Sequence, residues 1–169
     1  MRSQSGFSFL TNQSQSARPN VTLSLSIRSE VNAISPLVDK LMALIKKCRG
    51  VPRRQHEVEL ALREALANAV LHGNRQDAGK KVYVCVCIQF SWELSIIVKD
   101  EGTGFDHTQL PDPTHVENIK STHGRGIYLM RALMDDVRFE EGGTEVHMRM
   151  RLSRRNRIVA DIAVNDCGG

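Results

Sequence analysis

The sequence has no apolar run long enough to cross a membrane. Its longest mainly apolar stretches, such as Val82 to Phe90, fall well short of the roughly 18 residues a spanning helix needs. The N-terminus lacks the apolar core of a secretory leader, so the chain reads as cytoplasmic with no membrane partner. Its four cysteines form no CxxC pair: Cys85 and Cys87 lie two apart, Cys48 is remote and Cys167 is near the end, which weakens zinc and dithiol readings. At i and i+2 of a strand, Cys85 and Cys87 share one face and are expected as small core residues. Aromatic residues do not interleave with the basic C-terminal end, Arg149, Arg151, Arg154, Arg155 and Arg157. That run therefore reads as a solvated strand edge entering a tail, not as a nucleic-acid patch. No internal repeat is visible.

What is present is an ordinary globular composition. The chain has 169 residues, 41% hydrophobic and 25% charged, with a net charge of +4. Such a length suits one compact domain with one core. Residues 1–20 are rich in Ser, Gln and Asn and are expected to be a disordered tail. Residues 21–152 are expected to be the domain, and residues 153–169 a basic, flexible tail.

Val21, Leu23, Leu25 and Ile27 alternate with Thr22, Ser24 and Ser26, the pattern of a half-buried strand. A helix to about Cys48 follows, with Leu37, Leu41, Leu44, Ile45 and Cys48 on one side and Pro36 in its first turn. After the break Arg49-Gly50-Val51-Pro52, a second helix is expected from about Arg53 to His72, ended by Gly73-Asn74. Lys81–Phe90 and Glu93–Lys99 read as strands of a hairpin joined at Ser91-Trp92. A loop with Pro111 and Pro113 extends to about His123, and Gly124-Arg125-Gly126 opens a third helix to about Asp136. Strands at Val137–Glu140 and Glu145–Leu152 complete the order. The fold class this predicts is α+β: a two-layer α/β sandwich, its sheet mostly antiparallel and covered by helices on one face.

Four local patterns carry possible chemistry. Glu64, Asn68 and His72 recur every four residues, one polar stripe along the second helix. The Asn68 amide oxygen is a hard donor suited to Mg²⁺, and a carboxylate one turn earlier can accept a proton from a hydroxyl or water. Asp100-x-Gly102-x-Gly104 follows a strand, which presents the carboxylate at the strand's end. There it can accept a hydrogen bond from an exocyclic amine such as adenine's, while the glycines let backbone approach a ligand. Gly124-Arg125-Gly126 at a helix start offers free N–H groups to a phosphate. Gly142-Gly143-Thr144 precedes the last strand and places a hydroxyl near a base. Taken singly, each has a plain alternative: a solvated helix face, a turn, a flexible helix start, a strand-start turn. Their order along one chain is hard to reach by chance.

At these residues the chain resembles the ATPase superfamily shared by gyrase, the large heat-shock chaperone, histidine kinases and mismatch-repair proteins, the GHKL or Bergerat fold. More narrowly it resembles the anti-sigma-factor serine-protein kinases of bacterial stress and sporulation switches. The resemblance covers about Val21 to Leu152. It is strongest in Glu64-Ala-Leu-Ala-Asn68-Ala-Val-Leu-His72-Gly73 and in Gly124-Arg-Gly-Ile-Tyr-Leu-Met-Arg-Ala-Leu-Met-Asp135. It implies ATP or ADP with Mg²⁺ as cofactors, Asn68 as the metal ligand and Glu64 as the general base. It implies that Asp100 contacts adenine, that Gly102 and Gly104 shape the base pocket, and that Thr144 supports that end. Gly124 and Gly126 then close on the phosphates, and the loop from Asp106 to His123 is the lid. Lys120, His123 and Arg125 are candidates to meet phosphate charge, and His72 joins the nucleotide-binding set as the last member of its stripe. The implied partners are a sigma factor, which the kinase silences, and a small anti-anti-sigma protein of STAS type, phosphorylated on serine or threonine. A homodimer is implied as well.

The short lid with two prolines, the N-terminal segment and the basic end depart from the shared pattern. A histidine-kinase reading fails because His56 lies at the start of the very helix that bears Glu64, with only one strand and one helix before it. A slow ATPase, or a nucleotide-gated binding module whose Glu64 is idle, stays open as the alternative to a kinase.

Overall fold

The computed structural model describes residues 21–47, 54–89, 93–104 and 125–152. The first strand follows its sequence pattern: β1 (Val21–Arg28) alternates half-buried and exposed side chains throughout. A short 3₁₀ turn, Val31–Ala33, leads into α1 (Ile34–Lys47). Pro36 sits in its first turn, where a missing N–H costs nothing. Then come α2 (Gln55–Ala67), a π turn (Asn68–Gly73), β2 (Lys81–Gln89) and β3 (Glu93–Lys99). The chain closes with α3 (Arg125–Leu133), β4 (Asp136–Glu140), a 3₁₀ turn (Glu141–Gly143) and β5 (Glu145–Arg151).

The five strands form one sheet in the order β1-β2-β3-β5-β4, and every neighbouring pair is antiparallel. Alternate residues of the sheet, among them Val84, Val86, Ile96, Val98, Met148 and Met150, are buried. They form a single core with Val38, Leu41 and Ile45 of α1, Val58, Leu62 and Leu66 of α2, and Ile127 and Met130 of α3. All three helices thus lie on one side of the sheet, the two-layer α+β architecture the patterns predict. The other side carries ion pairs on β3 to β5, such as Lys99 with Glu145 at 3.2 Å and Arg138 with Asp136 at 3.0 Å. Among the described residues no helix is long and apolar enough to cross a membrane.

Three local readings need correction. Cys85 and Cys87 do share a face, but it is the helix-free one. Both are half-buried, and Cys87 accepts the Thr22 hydroxyl at 3.5 Å, while Val84 and Val86 fill the core phase of β2. Second, the α-helix bearing Glu64 stops at Ala67, not His72. Beyond it the Asn74 N–H reaches back five residues to the Ala69 carbonyl at 2.8 Å, the wider spacing of a π turn. Third, α3 ends at Leu133, short of Asp136. The Asp135 N–H pairs with the Arg149 carbonyl at 2.9 Å, so the chain has already joined the sheet. Cys48, Cys167, the Ser91-Trp92 turn and both tails lie outside the described residues.

Arg54, just before α2, locks the helical layer to the sheet. Its guanidinium donates to the Leu133 carbonyl at 2.7 Å and to Asp135 at 3.1 Å, and pairs with Glu57. Asp135 also accepts the Arg151 N–H at 2.7 Å. Burial pushes the Asp135 carboxyl up, but the Arg151 N–H and Arg54 outweigh it and hold it below its ordinary range. Arg54→Met keeps an apolar stem and loses the donors. It is expected to cost about 1–2 kcal/mol, since hydrogen bonds to charged groups are strong but this one is part-exposed. A lowered urea midpoint with an unchanged m-value is the expected readout.

Candidate nucleotide site

One cavity of about 420 Å³ opens between α2, its π turn, α3 and the ends of β3 and β5. Glu64 and Asn68 line one end, with Arg125 and Gly126 of α3. They are brought together by a missing side chain. A Cβ on Gly126 would stand 2.7 Å from Glu64 Oε2 and 3.5 Å from the Asn68 amide atoms. The first turn of α3 therefore packs its bare backbone on the Glu64/Asn68 stripe.

The other end is built around Asp100. Its carboxylate is buried, and Oδ1 accepts the Gly102 N–H at 2.8 Å. Its own N–H donates to the Thr144 carbonyl at 2.9 Å. Burial pushes the Asp100 carboxyl above its ordinary range, with the Gly102 N–H and the Lys80 charge pulling partly back. Gly73 backs directly onto this carboxylate: a Cβ there would lie 2.4 Å from its Cγ. Gly104 has φ +74°, and a Cβ on it would meet the Gly142 carbonyl oxygen at 2.1 Å, so neither residue tolerates a side chain. The middle of the cavity is apolar, with Val98, Ile127, Met130, Phe139 and Val146 on its walls.

From Glu64 to Gly73 the helical rise is roughly 12–13 Å. One continuous wall thus carries a carboxylate and a neutral amide at one end and a buried carboxylate at the other. The first end can hold a cation with its anionic ligand and accept a proton. The second can accept a hydrogen bond from an amine in an otherwise apolar slot.

The structure gathers Glu64, Asn68, His72, Asp100, Gly104, Arg125, Gly126 and Thr144 around this cavity. Gly102 is not on the wall. It stands behind Asp100, where its Cβ would lie 2.2 Å from the Gly73 carbonyl oxygen, and it acts through its N–H. Thr144 donates its hydroxyl to the Glu141 carbonyl at 3.0 Å, so what it can offer a ligand is acceptor capacity. Lys120, His123 and Gly124, with the loop from 106 to 123, lie outside the described residues. Sequence reasoning missed Gly73 and Asn74 as site residues and read them only as a helix stop. The signal that could have found them is a glycine beside the stripe that ends at His72, next to an amide side chain able to bond in two directions.

Comparison with known proteins agrees with this geometry. Residues 27–150 match the family described as "Histidine kinase-like ATPase domain". Over 104 residues the chain is 35% identical to the serine-protein kinase RsbW of Bacillus subtilis, covering 57% of this chain and 64% of that one. Over 139 residues it is 24% identical to the anti-sigma F factor of Oceanobacillus iheyensis, covering 79% and 85%. Among solved structures, the histidine kinase domain of the blue-light activated histidine kinase from Erythrobacter litoralis aligns with a TM-score of 0.48 at 19% identity, covering 80% of this chain and 66% of that one. The chain spans just under two thirds of the length of the RsbW relatives it matches, 64% and 65%. The match over residues 27–150 takes in both ends of the cavity, and this chain belongs to the histidine kinase-like ATPase family.

Proposed function

We propose that the protein is an ATP- and Mg²⁺-dependent serine/threonine-protein kinase that acts as an anti-sigma regulatory factor. The observation that carries this reading is the two-ended wall, with Glu64 and Asn68 against Gly126 at one end and buried Asp100 at the other. ATP lies along it with adenine at Asp100 and phosphates at Asn68, Arg125 and Gly126. The relatives' names, serine-protein kinase and anti-sigma F factor, supply the biological side. On that reading the protein binds a sigma factor and phosphorylates a small anti-anti-sigma protein of STAS type. The homodimer rests on the resemblance alone.

The residues suit both groups. Asn68 offers the neutral hard oxygen that Mg²⁺ accepts among its waters, and the missing Cβ of Gly126 leaves backbone N–H groups open to phosphate. Asp100 spends only Oδ1 on Gly102, which keeps the second oxygen for an amine. Bound Mg²⁺ supplies charge neutralisation at the phosphates. Glu64 accepts the proton of the serine or threonine hydroxyl as its oxygen bonds the γ-phosphorus and the bond to the bridging oxygen breaks, leaving ADP. Lys120, His123 and Gly124 are proposed to add contacts to the phosphates. The apolar middle excludes water from the base.

Transfer of labelled γ-phosphate tests the reading. The protein, Mg²⁺ and labelled ATP are mixed with lysate of the source organism, with Glu64→Gln as control. Label on a serine or threonine of a small protein, absent in the control, is expected. ATP binding without any label would replace the kinase by a nucleotide-gated binder or slow ATPase. Failure to bind ATP would remove the pocket assignment.

A further inference from the structure

Behind the Asp100 end lies a closed hydrogen-bond circuit with no part in phosphate transfer. Its centre is Asn74, which is 1% exposed. The Asn74 N–H donates to the Ala69 carbonyl at 2.8 Å, Nδ2 donates to the Lys81 carbonyl at 2.9 Å, and Oδ1 accepts the Glu101 N–H at 2.8 Å. Glu101 completes the circuit: its carboxylate accepts the Lys81 N–H at 2.8 Å and the Tyr83 hydroxyl at 2.9 Å. One amide therefore joins the end of the π turn, the first residue of β2 and the loop after β3. Its orientation is unambiguous, because a carbonyl faces one end and an N–H the other.

The circuit bears on Asp100 from two directions. Asn74 fixes the N–H of Glu101, the next residue after Asp100. It also follows Gly73, whose Cα abuts the Asp100 carboxylate so closely that a Cβ would overlap it. On its other side Asp100 is held by the Thr144 carbonyl. Any shift of Asn74 moves both Gly73 and the peptide after Asp100, and so moves the acceptor oxygen in the cavity.

We infer that Asn74 is a positioning residue for base recognition: it sets where the Asp100 acceptor stands, and thereby the preference for a 6-amino over a 6-oxo purine. The inference rests on the nucleotide reading above. A merely structural Asn74 would support the fold without affecting that preference.

The test is the ratio of Mg·ATP to Mg·inosine triphosphate affinity, measured by calorimetry alongside melting temperature. The wild type is expected to favour ATP by about 100-fold or more, since a site built to bond an amine rejects its oxo analogue strongly. Asn74→Ala is expected to cut that ratio about tenfold, mainly through weaker ATP binding, as a misplaced buried acceptor loses its bond. Should Asn74→Ala not fold, Asn74→Asp keeps the acceptor for the Glu101 N–H, loses only the donor to Lys81, and is expected to lower the ratio less. Arg54→Met, destabilised at the far end of α2, should keep the wild-type ratio. A folded Asn74 variant with a lower melting temperature and an unchanged ratio would overturn the inference, as would an equal drop in Arg54→Met. No preference in the wild type would instead overturn the assignment of Asp100 to the base.

Discussion

Asp100→Asn is expected to leave the protein at least as stable as the wild type while weakening adenine nucleotide binding by about 100-fold or more. The stability half follows from burial. Desolvation raises the Asp100 carboxyl above its ordinary range, so the folded state prefers it neutral. A group raised in the fold contributes its full stability below its ordinary pKa, and that stability is lost as pH rises through the folded value. At neutral pH the ionised Asp100 therefore costs the fold free energy that a neutral amide does not. Urea midpoints should fall for the wild type, relative to Asp100→Asn, as pH climbs through and above the ordinary carboxylate range.

The binding half is a matter of counting acceptors. The carboxylate has two oxygens, and Oδ1 is taken by the Gly102 N–H. In the amide the one oxygen must stay on Gly102, which turns an NH₂ donor toward the cavity, donor against donor with an amino group. Calorimetry with ADP reads the loss directly. Unchanged affinity in a folded variant would remove Asp100 from the site.

Glu64→Gln should lower phosphate transfer by about 10³-fold and leave nucleotide affinity within a few-fold. The amide fills the same volume but cannot take the hydroxyl proton. Gly126→Ala should show the same split by a different route. The added Cβ meets Glu64 Oε2 at 2.7 Å, the far end of a flexible side chain, so the carboxylate swings aside and the fold survives. Single-turnover transfer measured beside ADP calorimetry separates the two quantities. If ADP binding collapses together with transfer in Glu64→Gln, the residue is a structural part of the wall and not the base.

Much of this was legible from periodicity. Alternation in β1, β2 and β5 and the apolar stripe of α2 fixed the strands, the helices and the antiparallel sheet. The four-residue spacing of Glu64 and Asn68 placed both side chains at one end of the cavity, and the position of Asp100 after β3 placed it at the other. What stayed hidden depends on long-range backbone partners. Asn74 is a short polar residue after a glycine, which locally means only that a helix ends. Its function lies in Lys81 and Glu101, the latter 27 positions away. The cysteines were misplaced for another reason. A two-residue period says that Cys85 and Cys87 share a face without saying which, and the flanking Val82, Val84, Val86 and Ile88 were the better claim on the core. The π turn left no trace either, since no residue type distinguishes it from the α-helix it continues.

That turn makes the site sensitive to a class of change unlike substitution. A π turn is an α-helix with one residue too many. Deleting a residue between Asn68 and Gly73 would let the helix run on in α geometry and rotate everything after it by about 100°. Gly73 would leave the Asp100 carboxylate and the amide of Asn74 would point elsewhere, although every side chain in the cavity were kept. At exposed Leu71 the protein can vary its residue freely, but across those six positions it cannot vary its length.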